Sequence, residues 1–437
     1  MPYTVSILTL GCRVNQYESD SFSEELARHG VTIVPFGEKC DLAVVNTCTV
    51  TAESDRKSRQ MIRRAAQNAK KVAVTGCFAQ ISPDDACALS NVVFVRGNGG
   101  KASLPKKILD LLVDSYAGET NAVLPPDDRS AVEMTVVTPM RTRSYVKIED
   151  GCNNRCSYCI ISTARGPVRS KAPQTVLAEI TALAENGCRE VILTGIETAA
   201  YGLDFESRQP YGYALASLIA DVAEIDGIER IGLGSLDPTV LTPHFLEIVS
   251  AIPKLLPHFH LSIQSGCSRT LAKMRRKYNR DMALDAIHRL KDAIPDVTLS
   301  ADVIVGFPGE TEEDFADTVS FCEDARFMHL HIFPYSKRAG TEAAVMPDQV
   351  AENVKKDRLS RLEAVGKRIK NELLDDYVAA HRENPVYLLV EKYADEVTGH
   401  SEHFIETVAE DTAAYHREIV PVLLERHDGE RVYGKRA

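Results

Sequence analysis

The sequence predicts an α/β protein: an N-terminal open parallel α/β domain (1–120), a linker (121–140), a central six-unit (β/α) partial barrel with a trailing helix (141–375), and a small C-terminal all-β module (376–437). Three observations carry this. Short apolar, β-branched runs alternate with helical patterns in two successive series. A long charged helical stretch, Val350–His381, ends the second series. Beyond it the pattern changes to short alternating strands. Strand–helix alternation implies parallel sheets with helices on their faces.

In the first series Thr4–Leu10, Leu42–Val45, Val72–Thr75 and Val92–Val95 read as strands, and Glu18–His29, Ser54–Asn68, Asp84–Leu89 and Leu104–Leu112 as helices. Asn121–Glu133, with Pro125-Pro126 and a charge cluster, reads as a connection. The second series has strands at Tyr145–Ile148, Glu190–Leu193, Arg230–Leu233, Phe259–Ile263, Thr298–Val305 and Met328–Phe333. Six such units make a partial barrel, since a closed one has eight. Val386–Val390, Ile405–Val408, Ile419–Leu424 and Val432–Tyr433 form the β-module.

The chain has 437 residues, of which 44% are hydrophobic and 26% charged. That composition excludes disordered, collagen-like and coiled-coil chains. Its apolar runs are too short for a membrane span. Met1–Leu10 lacks a basic start and a cleavage site, so it reads as a strand and not as a signal peptide. A cytoplasmic protein without membrane contact is expected. The net charge of −11 argues against coating nucleic acid nonspecifically, though not against a local basic groove.

Eleven cysteines in a reducing compartment call for metal or redox chemistry. Cys152, Cys156 and Cys159 form C-x3-C-x2-C directly after the first barrel strand, at the rim where barrel enzymes place their chemistry. Closed zinc sites want four ligands. Three thiolates on a four-iron cube leave one iron open. A zinc knuckle or simple packing is the alternative. Cys12, Cys48 and Cys77 each lie just past a strand of the first sheet, on the edge where loops converge. They read as a second cluster site, against the alternative of buried small hydrophobes. Cys40, Cys87, Cys188, Cys267 and Cys322 lack such a pattern and read as structural.

The segment Gly151–Cys159, with Tyr158 as its aromatic, resembles the radical S-adenosylmethionine (SAM) signature C-x3-C-x-aromatic-C. Leu193–Glu197, Ser262–Gly266 and Asp302–Thr311 follow successive strands and resemble the segments that hold SAM. The resemblance implies cofactor contacts from Tyr158, Gly195, Glu197, Gln264, Ile304 and Gly306, and from Arg276 to the SAM carboxylate. Glu197 stands where relatives usually have His or Asn.

Thr9-Leu-Gly-Cys-Arg-Val-Asn-Gln-Tyr-Glu-Ser19, Val45-Asn-Thr-Cys-Thr-Val50 and Val74-Thr-Gly-Cys77 look like the N-terminal domain of the methylthiotransferases. Gly399-His-Ser-Glu-His-Phe404 resembles their C-terminal TRAM module. One branch of that family acts on isopentenyladenosine in tRNA and reads roughly T-x-G-C-Q-M-N. Another modifies a ribosomal-protein aspartate and reads roughly S-L-G-C-x-K-N. The form here, together with Cys159–Ser170, resembles the branch acting on N6-threonylcarbamoyladenosine in tRNA, at position 37 beside the anticodon.

The resemblance implies two 4Fe-4S clusters and SAM as cofactors. Cys152, Cys156 and Cys159 would hold the cluster that cleaves SAM to a 5′-deoxyadenosyl radical, which takes hydrogen from C2 of the adenine. Cys12, Cys48 and Cys77 would hold the auxiliary cluster that carries the methylated sulfur. The tRNA anticodon loop and an electron donor such as flavodoxin or ferredoxin are the implied partners. The competing readings are the other two substrates, or a noncatalytic iron–sulfur or zinc protein that binds RNA and senses redox state.

Basic residues crowd both motifs. Arg56, Lys57, Arg59, Arg63, Arg64, Lys70 and Lys71 follow Cys48, and Arg141, Arg143, Lys147, Arg155, Arg165, Arg169 and Lys171 flank the C-x3-C-x2-C. Each set predicts a face that contacts phosphates. Residues 384–437 hold 11 acidic and 6 basic residues, which argues against generic RNA binding by the C-terminal module.

Overall fold

The computed structural model describes residues 3–113, 123–127, 129, 132–207, 209–394, 396–410 and 412–437. The remaining positions of the expected linker (121, 122, 128, 130 and 131) lie outside the described residues.

Five parallel strands open the chain: β1 (Thr4–Thr9), β2 (Thr32–Val34), β3 (Cys40–Thr47), β4 (Ala69–Gly76) and β5 (Val92–Arg96), in the order β2-β1-β3-β4-β5. The helices are α1 (Arg13–Arg28), α2 (Ala52–Asn68), α3 (Cys77–Ile81), α4 (Pro83–Cys87) and α5 (Leu104–Leu112). β3 is apolar almost throughout because both of its faces are covered. Leu42 and Val44 pack in one core with Tyr17, Phe22 and Leu26 of α1, while Ala43 and Val45 pack with Ile62 and Ala65 of α2. β2 and α3 escape sequence reading because elements of three and five residues show no period.

The central part bends into an arc. Its strands are β6 (Ser144–Lys147), β9 (Glu190–Thr194), β10 (Arg230–Leu233), β11 (His258–Gln264), β12 (Thr298–Val305) and β13 (His329–Pro334). They form two parallel three-stranded sheets, β6-β9-β10 and β11-β12-β13, linked by a bridge between Leu236 and Leu261. A short antiparallel pair, β7 (Glu149–Asp150) with β8 (Arg169–Ser170), lies beside the cysteine loop. Helices α6 (Ile161–Arg165), α7 (Pro173–Glu185), α8 (Tyr213–Ala223), α9 (Pro243–Val249), α10 (Ser268–Lys273), α11 (Arg280–Ala293) and α12 (Glu312–Ala325) connect the strands. The long α13 (Glu352–Ala380) trails them. No helix among the described residues is long and apolar enough to cross a membrane.

The C-terminal module is a closed barrel of β14 (Val386–Lys392), β15 (Val397–His400), β16 (Glu406–Glu410), β17 (Ile419–His427) and β18 (Val432–Arg436), in the order β14-β15-β16-β18-β17. β15 was not expected. It holds Gly399, whose missing side chain admits the Leu389 carbonyl to within 1.8 Å of where a Cβ would stand. The Gly399–Phe404 segment docks on the central part instead of facing outward. Phe404 stacks between His258 and His400, with ring centroids 5.0 and 4.8 Å away, and Arg143 lies over it. Phe404 is thereby occupied and is not a platform for bases.

The seam between the first two parts is ionic and dry. The Glu18 carboxylate of α1 accepts from Arg165 (2.6 Å), Lys147 (3.3 Å) and Lys101. Asp150 meets Lys147 at 3.4 Å and Arg165 at 3.3 Å. Beside them Lys171 bonds Glu179 (2.6 Å), which also accepts from Tyr17 (2.8 Å). All of these side chains are buried. Burial alone would raise the Glu18 pKa; Arg165, Lys101 and Lys147 together hold it well below the usual range. The described part of the linker joins this seam, as Val132, Met134 and Val136 are buried and the Val136 N–H donates to Glu179.

The second basic set is therefore corrected. Lys147, Arg165, Arg169 and Lys171 are buried among these partners, Arg141 pairs with Asp20, and Arg143 pairs with Glu190 and Glu391. Arg155 stays exposed with no partner to offset it among the described residues, and Arg141, though paired, is exposed as well.

Breaking one side of a buried ion network strands the other. Glu18→Gln is expected to destabilise the protein by about 3–5 kcal/mol, read as a lowered urea midpoint. A midpoint within about 0.5 kcal/mol of the parent would show that the seam does not depend on this carboxylate.

Candidate active site

The register of β1, β3 and β4 sets the ends of these strands level, with Thr9 beside Asn46 and Asn46 beside Thr75. The loops that follow carry Cys12, Cys48 and Cys77. Two glycines make the approach possible. At Gly11 (φ +94°) a Cβ would stand 2.8 Å from the Cys48 sulfur, and at Gly76 (φ +96°) it would stand 2.4 Å from the Thr47 carbonyl. Asn15 ties the loops, donating to the Leu10 carbonyl (2.7 Å) and the Thr47 carbonyl (3.0 Å). Cys48 and Cys77 are buried, whereas Cys12 is exposed to the crevice. Surrounding protein still raises the Cys12 thiol, and burial pushes Cys48 up to about 11. The Arg165 Nε–H points at the Cys77 sulfur from 3.3 Å, and the Asn98 side-chain amide lies 3.5 Å from it.

The second triad sits in the loop after β7. The Cys152 N–H donates to the Gly166 carbonyl (3.0 Å) and the Cys159 N–H to the Cys156 carbonyl (3.1 Å). Ser157 anchors the loop through its hydroxyl to the Lys273 carbonyl at 2.8 Å. Burial pushes Cys152 up to about 12 and Cys159 up to about 11. A cavity of about 320 Å³ lies against all three thiols. Val50 and Thr51, just past Cys48, wall the same cavity. Both domains thus build it. Their closure is locked by Arg338, which bonds Asp55 (2.7 Å) and Thr49 (2.6 Å).

Five of the seven sequence-predicted cofactor contacts, Tyr158, Glu197, Gln264, Arg276 and Ile304, line this cavity. Tyr158 meets Phe307 edge-on. Gln264 sits at a register shift in β11 with φ +67°, an uncommon backbone for a residue other than glycine. Gly195 and Gly306 stand at the turns beside these lining residues, where a Cβ at Gly195 would meet Glu149 and one at Gly306 would meet Lys355, and the Gly306 N–H donates to Glu310. Arg276 faces the cavity but already serves Asp237 (2.7 Å) and the Ser262 carbonyl (3.0 Å), with its other nitrogen 3.6 Å from the Cys156 sulfur. Burial, with Asp237 nearby, pushes Glu197 up to about 7.

Sequence reasoning missed Glu149, Asp237, Asn98 and the role of Arg165. Glu149 is buried, accepts the Glu197 N–H (2.9 Å) through one oxygen, and has no partner for the other among the described residues. Burial raises its pKa well above the usual range. Adjacency in the chain to Asp150-Gly151-Cys152 was the available signal.

Among the described residues no three His, Cys, Asp or Glu side chains are drawn together tightly enough to hold one metal ion. Each triad stays open, and N–H donors from Arg165, Asn98 and Arg276 face the sulfurs. Soft thiolates whose charge is offset by N–H groups fit iron–sulfur clusters, with the cavity left for a ligand of the open iron.

Comparisons with known proteins agree. Residues 146–322 match the radical SAM superfamily, and residues 4–97 match a family described as uncharacterized protein family UPF0004. The radical SAM methyltransferase TsrM from Kitasatospora setae shares the fold, with a TM-score of 0.55 over 79% of this chain and 74% of that one at 13% identity. Fold and site define a radical SAM enzyme. The threonylcarbamoyladenosine tRNA methylthiotransferase MtaB of Bacillus subtilis (strain 168) is 37% identical, over 96% of this chain and 93% of that protein. Its counterpart from Aquifex aeolicus (strain VF5) is 35% identical over 85% and 90%. A tRNA-2-methylthio-N6-dimethylallyladenosine synthase from Nocardioides sp. is 35% identical over 83% and 73%. The chain belongs to the radical SAM methylthiotransferase family.

Arg165→Lys keeps a buried cation for Glu18 but removes the N–H aimed at Cys77. Iron bound by the reconstituted protein is expected to fall from about eight toward about four per chain, as the N-terminal triad loses its support. Unchanged iron would show that Arg165 serves the seam alone.

Proposed function

We propose that this protein attaches a methylthio group to C2 of N6-threonylcarbamoyladenosine in tRNA, at position 37 beside the anticodon, in the cytoplasm. The observation that carries the reading is the single cavity between two cysteine-bearing loops, one from each domain. Cys152, Cys156 and Cys159 hold one 4Fe-4S cluster and Cys12, Cys48 and Cys77 the other. When bound, the first cluster with SAM supplies a radical able to remove the aromatic C–H, and the second supplies the sulfur.

The chain's own residues do the rest. Tyr158, Gln264 and Ile304 shape the cavity against SAM, and Glu197 offers a carboxyl at its rim. The Arg276–Asp237 pair holds an arginine N–H fixed beside the Cys156 sulfur. The dry seam keeps the two loops at a constant separation. An aromatic C–H lies beyond the reach of any side-chain base, and here no side chain is asked to remove it.

The tRNA approaches over α2. Arg56, Lys57, Arg63 and Arg64 are exposed on this helix, which starts one residue past the cavity wall at Thr51. Electrons come from a small redox protein such as flavodoxin or ferredoxin.

Nucleoside mass spectrometry on total tRNA tests the reading. Deleting the gene is expected to abolish 2-methylthio-N6-threonylcarbamoyladenosine, and restoring it to bring that nucleoside back. Loss of the 2-methylthio-isopentenyl nucleoside instead would transfer the enzyme to the other branch; no change in either would overturn the reading. In the purified enzyme, Cys156→Ala is expected to end 5′-deoxyadenosine formation. Cys48→Ala should retain part of it while stopping sulfur insertion. Equal loss in both variants would refute the division of labour between the triads.

A further inference from the structure

The chain carries a basic run, Lys273-Met-Arg-Arg-Lys277, of which the cavity uses Arg276 alone. The rest of the run lies against the back of the Cys152–Cys159 loop. Ser157, between two of the cysteines, is buried and does not line the cavity, whereas Cys156 and Tyr158 on either side of it do. Its N–H donates to the Met274 carbonyl at 3.1 Å and its hydroxyl to the Lys273 carbonyl at 2.8 Å. Its own carbonyl accepts from the Ala343 N–H at 2.8 Å. One hydrogen-bonded layer of backbone thus joins the cysteine loop to a surface built by residues 272–277 and 337–348.

That surface is positive on a chain whose net charge is −11. With the cysteine loop it exposes Arg155, Lys273, Arg275, Lys277 and Lys337, against the acids Glu342 and Asp348. Arg276 and Arg338, in the same segments, are already spent on Asp237 and Asp55. At the surface Arg275 pairs with Glu342 at 2.6 Å, and Lys273 reaches the Gly309 carbonyl at 3.1 Å. Val345, two residues past Ala343, is 83% exposed, the most of any large apolar side chain among the described residues. None of these exposed residues lines the cavity. They stand on the other side of the loop from it.

We propose that this surface, the back of the Cys152–Cys159 loop, is where an acidic one-electron carrier protein docks. The inference rests on the proposed function, which needs an electron from outside. That electron has to enter with SAM and the target base in the cavity, so the mouth is occupied and the back of the loop is the open route. An acidic carrier is repelled by most of a negative chain and steered to its positive island. Exposed cations around a single apolar side chain suit the small, transient contact of redox partners, under about 1,200 Å². A tRNA backbone would use the cations but has no use for Val345. The carrier's reduced flavin gives up one electron and becomes the semiquinone; the cluster at Cys152, Cys156 and Cys159 gains it, and no further reactant is needed.

The test is anaerobic binding of oxidised flavodoxin to the reconstituted holoenzyme, so that no electron moves, followed as salt is raised. The parent should bind at low salt and lose most of that affinity in about 0.5 M salt. Lys273→Glu combined with Arg275→Glu should weaken binding by at least about tenfold, and Glu342→Lys should tighten it. Iron content checks that each variant is assembled. In the double variant 5′-deoxyadenosine formation driven by reduced flavodoxin should fall with the binding. Formation driven by dithionite, which needs no docking surface, should hold, and so should tRNA affinity. Unchanged flavodoxin affinity in the double variant would overturn the proposal. Loss of tRNA affinity with flavodoxin affinity retained would assign the surface to RNA and overturn it as well. A parent neither bound nor reduced by flavodoxin or ferredoxin would sink the surface together with the electron source in the proposed function. A parent that binds and is reduced through this surface, yet makes no methylthio nucleoside, would leave the docking site standing and refute the functional reading alone.

Discussion

The structure depends on one buried guanidinium. Arg165 follows the C-x3-C-x2-C by six residues, yet besides Asp150 of its own domain it serves the other one: Glu18 and Asn15 of α1 and the sulfur of Cys77. A rigid fork suits this because its donors diverge at fixed angles, so one side chain fixes three groups at once. The cost of burying the charge is offset only while all its partners remain. The two cysteine loops therefore cannot drift independently. The proposed reaction, which passes a hydrogen one way and a sulfur the other across one adenine, needs that constancy, because misplacement by about 1 Å costs orders of magnitude in rate.

The same network explains why charge counting from sequence misled. The basic residues flanking the cysteine motif look like a phosphate face because a one-dimensional count sees cations without their partners. Glu18, Asp20, Glu179, Glu190 and Glu391 lie from 8 to 248 residues away from the cations they neutralise. The basic face that remains exposed is on α2, where the nearest acids, Glu53 and Asp55, are local and were visible in the chain. The Gly399–Phe404 motif likewise takes its role from distant partners, since His258 and Arg143, both from the central part, sandwich its aromatic ring.

Much else was legible. The six arc strands were placed to within about two residues, because parallel strands covered on both faces leave continuous apolar runs. The placement of the six cysteines in loops past strand ends was legible, and in the first sheet the register makes those ends a shared edge. Residues that act from the side were not. Asn98, Glu149 and Asp237 carry no spacing signal. Their meaning comes from what the fold sets opposite them: Asn98 at Cys77, Glu149 behind Gly195, Asp237 on Arg276.

Asp237 shows how such a residue alters the chemistry read from a motif. Arg276 alone would be a mobile cation free to take any carboxylate that entered. Paired with Asp237 and bonded to the Ser262 carbonyl, it is immobile, and its remaining nitrogen is aimed at Cys156. The pair has little net charge at a distance but a directed N–H at close range, which is what a thiolate ligand needs.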